Sequence, residues 1–320
     1  MSTAHTLSGR STYGFVLTAI VCVLWGVFPI AAKAVLLETD PYTFNFYRFL
    51  MPVFVLWAFL ARRSQLPELW RGKHRPIRKR VFLAAVLLIA NYMLFAFALG
   101  RITPSAAQIL IQTGTIMILL SGVFLFGETF SKRQWLGCLV FMIGLTTFFF
   151  YRILDMFDGL ASYTIGMGLM ILAAITWACY AILQKPLLTH ISPAQILLVV
   201  FAMGLAVFFP AADLGAIMTL SAGALLGLGF CSASTLVGTT LFAEAMAHWE
   251  ASKISALLTT IPLVTMFAMK GLSYFPSFDI KDEPITTLSL SGAILVVVGA
   301  AMVAVTRSQV KIEDQGTEQP

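Results

Sequence analysis

Ten stretches of the chain are apolar over about the length needed to cross a bilayer: 13–36, 42–61, 81–100, 105–126, 132–151, 163–184, 193–212, 221–246, 252–274 and 287–306. A helix crosses the hydrocarbon core with about 20 residues, so each stretch reads as one span. Lipid offers the backbone no hydrogen-bond partner, which leaves helices or a closed barrel. The strict alternation of a lipid-facing barrel strand is absent. Breakers fall between the spans: Asp40-Pro41, Thr103-Pro104 and Ser192-Pro193 each put proline at a helix start, where its missing N–H costs nothing. Composition agrees. Of 320 residues 59% are hydrophobic and 11% charged, with a mean hydropathy of +0.88. Such a chain cannot dress a soluble surface. A soluble enzyme, a nucleic-acid-binding module and a disordered chain are excluded, and the fold class is an all-α polytopic membrane protein.

Lysine and arginine orient it. With the N-terminus in the cytoplasm, the inner segments hold Arg10, the eight basic residues of 62–80, Lys132, Arg133, Lys185, Lys253, Arg307 and Lys311, fifteen in all. The outer segments hold four: Arg101, Arg152, Lys270 and Lys281. This asymmetry predicts cytoplasmic N- and C-termini. The basic run at 62–80 is expected to lie against anionic lipid rather than nucleic acid. Cys22, Cys138, Cys179 and Cys231 all lie in apolar runs without CxxC spacing, so no disulfide, metal site or cofactor is expected. The first apolar run is long enough to remain as a helix rather than a cleaved signal.

The chain also repeats. An offset of 152 aligns Trp25 with Trp177, Ile30 with Ile182, Lys33 with Lys185, Leu36 with Leu188 and Pro41 with Pro193. An offset of 147 matches Phe95 with Phe242 and Leu110 with Leu257, and one of 155 matches Gly137 and Gly144 with Gly292 and Gly299. The repeat is five spans, and an odd number inverts the second copy, as in secondary transporters. The expected organisation is a tail at 1–12, repeats at 13–151 and 163–306, and a tail at 307–320.

The stretches VLWGVFPIAAKAVL…DPYTFNFYRFL and YMLFAFALGRITPSAAQILIQTGTIMILLSGVFLFGETFSKRQWLGCLVFMIGL resemble the first repeat of EamA-type transporters of the drug/metabolite transporter superfamily. The second copy runs from ILAAITWACYAILQK to SGAILVVVGAAMV, so the resemblance covers about 13–306. It implies ten helices in two inverted repeats and export of a small metabolite, amino acid or amphipathic drug. Two departures stand out. Thr115 occupies a position where the family often has the proline seen at Pro262, and Gly127-Glu128 has no clear counterpart in the second repeat.

Polar side chains in spans are candidate site residues. Gln108, Gln112 and Thr115 share one face of span four, and the repeat maps them onto Ser255, Thr259 and Pro262 in span nine. They read as two walls of a substrate cavity, with interhelical hydrogen bonding as the alternative. Trp25, Trp177, Tyr180, Asn91 and Tyr92 lie mid-span and could form an aromatic pocket, or simply pack. Lys33 and Lys185 read as helix-end snorkels. Arg48, two turns into span two beside Asn45 and Tyr47, either pairs internally or offers a site for an anion. Glu244, with His248 four residues on, is the carboxylate most clearly inside a span and the candidate proton carrier. Small residues crowd span eight: Gly227, Gly229, Ser232, Ser234, Gly238 and Thr239. These features predict a secondary carrier of a bacterial-type inner membrane, working by alternating access, with a small molecule, the bilayer and protons as partners and no nucleic acid. A facilitative carrier of the same fold, or a membrane enzyme or receptor, is the rival. Monomer and homodimer both remain open.

Overall fold

The computed structural model describes residues 11–69, 74–126, 131–150, 161–249, 254, 257–272 and 286–305. Among them are ten α-helices: α1 (Ser11–Leu36), α2 (Pro41–Arg62), α3 (Arg78–Leu99), α4 (Pro104–Phe126), α5 (Lys132–Phe148), α6 (Ala161–Leu187), α7 (Pro193–Phe208), α8 (Ala222–His248), α9 (Ile261–Leu272) and α10 (Thr287–Val305). By length and composition α1, α2, α3, α6, α8, and α7 continued through the short helix that follows it to Ala211, are each sufficient to cross a membrane, whereas α9 and the stretch Thr287–Val303 of α10 are shorter apolar helices. Large apolar side chains point outward, among them Phe54, Leu226, Phe267 and Met142. A soluble protein would bury them, and lipid accommodates them.

The helices start where the sequence supplies caps. The Asp40 carboxylate accepts from the N–H groups of Tyr42 (2.8 Å) and Thr43 (3.1 Å), and Pro41 opens α2. Ser131 with Gln134, and Ser192 with Gln195, form reciprocal capping boxes at α5 and α7. Ser221 caps α8 through the Ala224 N–H at 3.1 Å.

Packing follows the repeat. Exchanging α1–α5 with α6–α10 turns the α1–α8 contact into α6–α3, α4–α6 into α9–α1, and α2–α8 into α7–α3; all are present. The pairs α2–α7, α4–α9 and α5–α10 map onto themselves and are also present. Two inverted repeats therefore interlock, each sending its first helix into the other. At α5–α10 the four repeat-matched glycines meet. A Cβ on Gly144 would lie 2.9 Å from the Gly292 carbonyl oxygen, and one on Gly137 2.9 Å from that of Gly299. Residues seven apart share a helix face, so the pair lets two backbones touch.

Two expectations change. The ninth span does not run unbroken over 252–274: residues 259 and 260 form a turn and α9 begins at Ile261. Pro262 supplies no N–H to the Leu258 carbonyl, which favours a break there. Lys33 does more than snorkel. Its ammonium donates to the carbonyls of Leu99 (2.6 Å), Gly100 (3.0 Å) and Ile102 (3.2 Å), across the bundle at the end of α3.

One end of the bundle is stapled by loops. The Ser221 N–H and hydroxyl bond Glu38, the Asp213 N–H donates to Thr43 Oγ1, and the Tyr47 hydroxyl donates to the Leu214 carbonyl. At the opposite end α1 meets the end of α8: Tyr13 stacks edge-on to His248 at 5.1 Å and Phe15 on Trp249 at 5.7 Å.

Candidate functional site

Arg48 is the most unusual side chain of the interior. It is 5% exposed, yet belongs to the residue type least tolerant of a dry environment. Helix α2 carries it inward from the stapled end. Its Nε donates to Thr235 Oγ1 at 2.9 Å, and Thr235 is the midpoint of α8. Rings from α1 and α3 surround the guanidinium: its carbon lies 4.4 Å from the centroid of Phe28 and 4.7 Å from that of Tyr92. Phe49 and Phe44 of its own helix stand at 5.7 and 5.9 Å. Such faces attract a cation. Four helices from both repeats thus meet at one charge.

Tyr92 continues the site. It stacks edge-on to Phe49 at 5.2 Å and lies near Phe201 of α7 at 6.2 Å. The same apolar cluster holds Tyr180, buried, and Trp177, half-buried, from α6. Tyr92, Tyr180 and Trp177 therefore share one cluster, which Arg48 adjoins through Tyr92 and Phe49. Asn91 faces differently: its amide donates to the Ala173 carbonyl of α6 at 2.8 Å, an interhelical bond. Trp177 also covers Gly114, where an added Cβ would approach its Cε3 to 3.0 Å.

A second polar group surrounds Trp25, half-buried on α1. Its ring stands 5.8 Å from Phe242 and lies over Gly238 of α8. Its carbonyl is orphaned, because its helical donor would be residue 29, and Pro29 has no N–H. Gln108 of α4 supplies the missing donor, Nε2 to oxygen at 2.7 Å. One turn on, Gln112 accepts from Thr115 at 3.3 Å. Both glutamines are buried, as is Thr259, two residues before α9, the helix that packs against α4. Ser255 lies outside the described residues.

Glu244 and His248 stand apart from Arg48, in the last two turns of α8. The carboxylate is half-exposed and contacts His248 Nε2 at 3.0 Å. They flank the α1–α8 aromatic seal rather than the buried centre. A shallow apolar groove of about 350 Å³ along Phe15, Val16, Ala19, Ile20, Val23 and Leu24 is on the outer face of α1, where lipid tails would lie, and is unconnected with these polar groups. Among the described residues, His, Cys, Asp and Glu nowhere gather in threes that could hold a metal.

Sequence reasoning missed Thr235 and Phe28 as members of the Arg48 site and placed Asn45 beside Arg48 without giving it a role. Asn45 and Arg48 are one turn apart, a spacing legible in the sequence. Thr235 and Phe28 come from other helices, and no local spacing pairs them with Arg48.

The family model described as the EamA-like transporter family matches residues 12–150 and 164–305. An uncharacterized transporter of Haemophilus influenzae is 35% identical over 292 residues, 91% of this chain and 94% of its own. The uncharacterized inner membrane transporter YhbE of Escherichia coli is 36% identical over 295 residues, 91% of each chain. A probable amino-acid metabolite efflux pump of Escherichia coli is 23% identical over 297 residues, covering 89% and 92%. A crystal structure 14% identical matches the fold with a TM-score of 0.62 over 92% of this chain and 98% of its own. With both repeats matched, and relatives of this identity spanning its length, the chain belongs to the EamA-like transporter family and is a multi-pass membrane transporter.

Proposed function

We propose that the chain exports a small organic metabolite across a bacterial-type inner membrane by alternating access, with both termini cytoplasmic. The observation that carries this reading is the buried polar centre between the repeats, where α1, α2, α3 and α8 converge on Arg48. Secondary carriers bind at the midplane between inverted repeats. Two relatives named as probable amino-acid metabolite efflux pumps support export and an amino-acid-like cargo. In this reading Trp25, Asn91, Tyr92, Gln108, Gln112, Trp177, Tyr180, Ser255 and Thr259 line or frame the path. The α1–α8 contacts at Tyr13, Phe15, His248 and Trp249 close its cytoplasmic end.

Proton coupling is assigned to the Glu244–His248 pair, because it borders that closure. Protonation of Glu244 removes a charge at the closing contact and so biases which end opens. Proteoliposomes loaded with a mixture of amino acids and other cytosolic metabolites test both claims, with release followed by mass spectrometry. Release of specific compounds by the protein, accelerated by a pH gradient, is expected, and Glu244→Gln should abolish the acceleration while sparing exchange. Retention of every compound sinks the transport reading. Full gradient-driven release by Glu244→Gln leaves the facilitative carrier in place of the coupled one.

A further inference from the structure

We propose that Thr43 and Gln195 are paired gate residues, each latching one repeat to a loop of the other at opposite ends of the bundle, and that the transport cycle opens the two latches in turn. The inference rests on the alternating-access reading above and assigns its gates.

The two residues hold the same place in the repeat. The offset of 152 that aligns Pro41 with Pro193 also aligns Asp40 with Ser192 and Thr43 with Gln195. Each is the third residue of its helix, α2 or α7, and each is buried. In both cases the cap residue orients the side chain. The Thr43 hydroxyl donates to the Asp40 carboxylate at 2.6 Å, which leaves its lone pairs for another donor. Gln195 Oε1 accepts from the Ser192 N–H at 2.9 Å, which turns its NH2 the other way. Each then reaches a loop of the other repeat. Thr43 Oγ1 accepts from the Asp213 N–H at 2.9 Å, in the connection between α7 and α8. Gln195 Nε2 donates to the Gln65 carbonyl at 2.6 Å, in the connection between α2 and α3. Exchange of the repeats turns one connection into the other. Because the repeats are inverted, α2 and α7 start at opposite ends of the bundle. With cytoplasmic termini, Thr43 stands at the outer end and Gln195 at the inner end.

When two inverted repeats rock against each other, a contact that closes one end has its equivalent closing the other. Thr43 and Gln195 meet that requirement with different chemistry, an acceptor at one end and a donor at the other. Both latches cross between the repeats, so neither end can part while its own latch is made. Each latch is also able to break. From Phe209 to Ser221 every residue is exposed except half-buried Ala212 and buried Ala216 and Leu220, and Gln65 lies in an exposed run over 62–66. Few buried contacts hold such segments, and water can replace their hydrogen bonds. The outer latch is reinforced by Glu38 with Ser221 and by Tyr47 with Leu214. The same offset puts His190 and Val199 in place of Glu38 and Tyr47. Valine has no side-chain donor, and His190 turns to its neighbour Thr189 at 2.6 Å. Both latches are made in this structure, which in this reading is the occluded form between the inward-open and outward-open states.

The test uses the full-length protein in proteoliposomes loaded with the same mixture of amino acids and other cytosolic metabolites. The four native cysteines are replaced by alanine, and two cysteine pairs are introduced separately: Thr43→Cys with Asp213→Cys, and Gln195→Cys with Gln65→Cys. A short, thiol-cleavable bifunctional reagent then closes either latch after folding, and single-cysteine variants treated alike are the control. Closing either latch should abolish release, and cleaving the cross-link should restore it. Undiminished release through a closed cross-link at either end overturns the proposal. Gln195→Glu tests the inner latch without a cross-link. Glutamate keeps the capping box with Ser192 but has no donor for Gln65. Losing one net hydrogen bond should raise the inward-open population about fivefold and lower the apparent KM for cytoplasmic-side cargo by as much. The KM from the outer side, measured in vesicles of the opposite orientation, should not fall. A KM that stays put on the cytoplasmic side, or falls equally on both, marks Gln195 as a fixed staple and overturns the proposal. The two readings fail differently: release that persists through a closed cross-link removes the gates and leaves transport, whereas no release before any cross-link is made removes transport and the gates with it.

Discussion

The Lys33 ammonium lies 2.6 Å from the carbonyl oxygen of Leu99, the last residue of α3, and also reaches the carbonyls of Gly100 and Ile102. The last carbonyls of a helix have no partner within it and carry its negative dipole end. Lys33 thus satisfies α3 with a charge from α1, and ties two helices of the first repeat together.

Lys33→Met keeps the apolar stem and removes the donors. It should lower unfolding free energy by roughly 1.5–3 kcal/mol, the range for hydrogen bonds to a charged group. Denaturant unfolding in micelles checks this. A simple snorkelling lysine would lose almost nothing, so an unchanged midpoint refutes the capping role.

At α5–α10 the sequence dictates how closely two helices approach. Gly292→Val must drive side-chain atoms into the backbone at Phe148, and Gly144→Val into that at Val296. Each should destabilise by about 1–3 kcal/mol or more, the range for overpacking a tight contact. Gly229→Ala is the contrast, since nothing lies within 4 Å of its added Cβ. That change should be neutral or stabilise α8 by about 0.5–1 kcal/mol. Melting temperature and monodisperse yield distinguish the three variants. Equal behaviour would mean that α5–α10 tolerates separation.

The Glu38 carboxylate is held below its ordinary value near 4.5 by hydrogen bonds from the Ser221 hydroxyl and then from the Ser221 N–H. A lowered folded-state value means the contact stabilises above the ordinary carboxylate range. That contribution disappears as pH falls through the lowered value. Wild type should therefore melt above Glu38→Gln at neutral pH, and the two should converge on acidification. A difference constant across the acid range would show that the charge of Glu38 contributes nothing.

How much could be read beforehand depends on how far apart the partners are in sequence. The spans, their caps and the repeat are local or periodic features. Asp40-Pro41 and Ser192-Pro193 therefore mark real helix starts, and the glycine match at offset 155 identifies residues that touch. The break before Ile261 was signalled only by Pro262, which most helices of this kind can absorb. The site is a different problem. Arg48 stood out because charge is rare in a span, but its partners Phe28, Tyr92 and Thr235 come from three other helices. Packing chooses them, and spacing along one helix cannot reveal it. Lys33 shows the same limit, since its carbonyl partners lie 66 to 69 residues away.

Gln108 and Pro29 offer a test that separates framework from cargo binding. Pro29 removes the helical donor for the Trp25 carbonyl, and Gln108 replaces it from α4 at 2.7 Å. Gln108→Leu alone strands a buried carbonyl, a loss of about 1–3 kcal/mol. Pro29→Ala alone gives the carbonyl back its own helical N–H and leaves Gln108 with a competitor. In the double variant the leucine strands nothing, so the cost of Gln108→Leu should shrink by about 1 kcal/mol or more. A double-mutant cycle on unfolding free energy measures that coupling. The same four proteins can be assayed for transport. If stability recovers in the double variant and transport recovers with it, Gln108 acts by completing α1. If stability recovers while transport stays lost, the Gln108 amide itself meets the cargo. An additive cycle would break the link between Pro29 and Gln108 altogether.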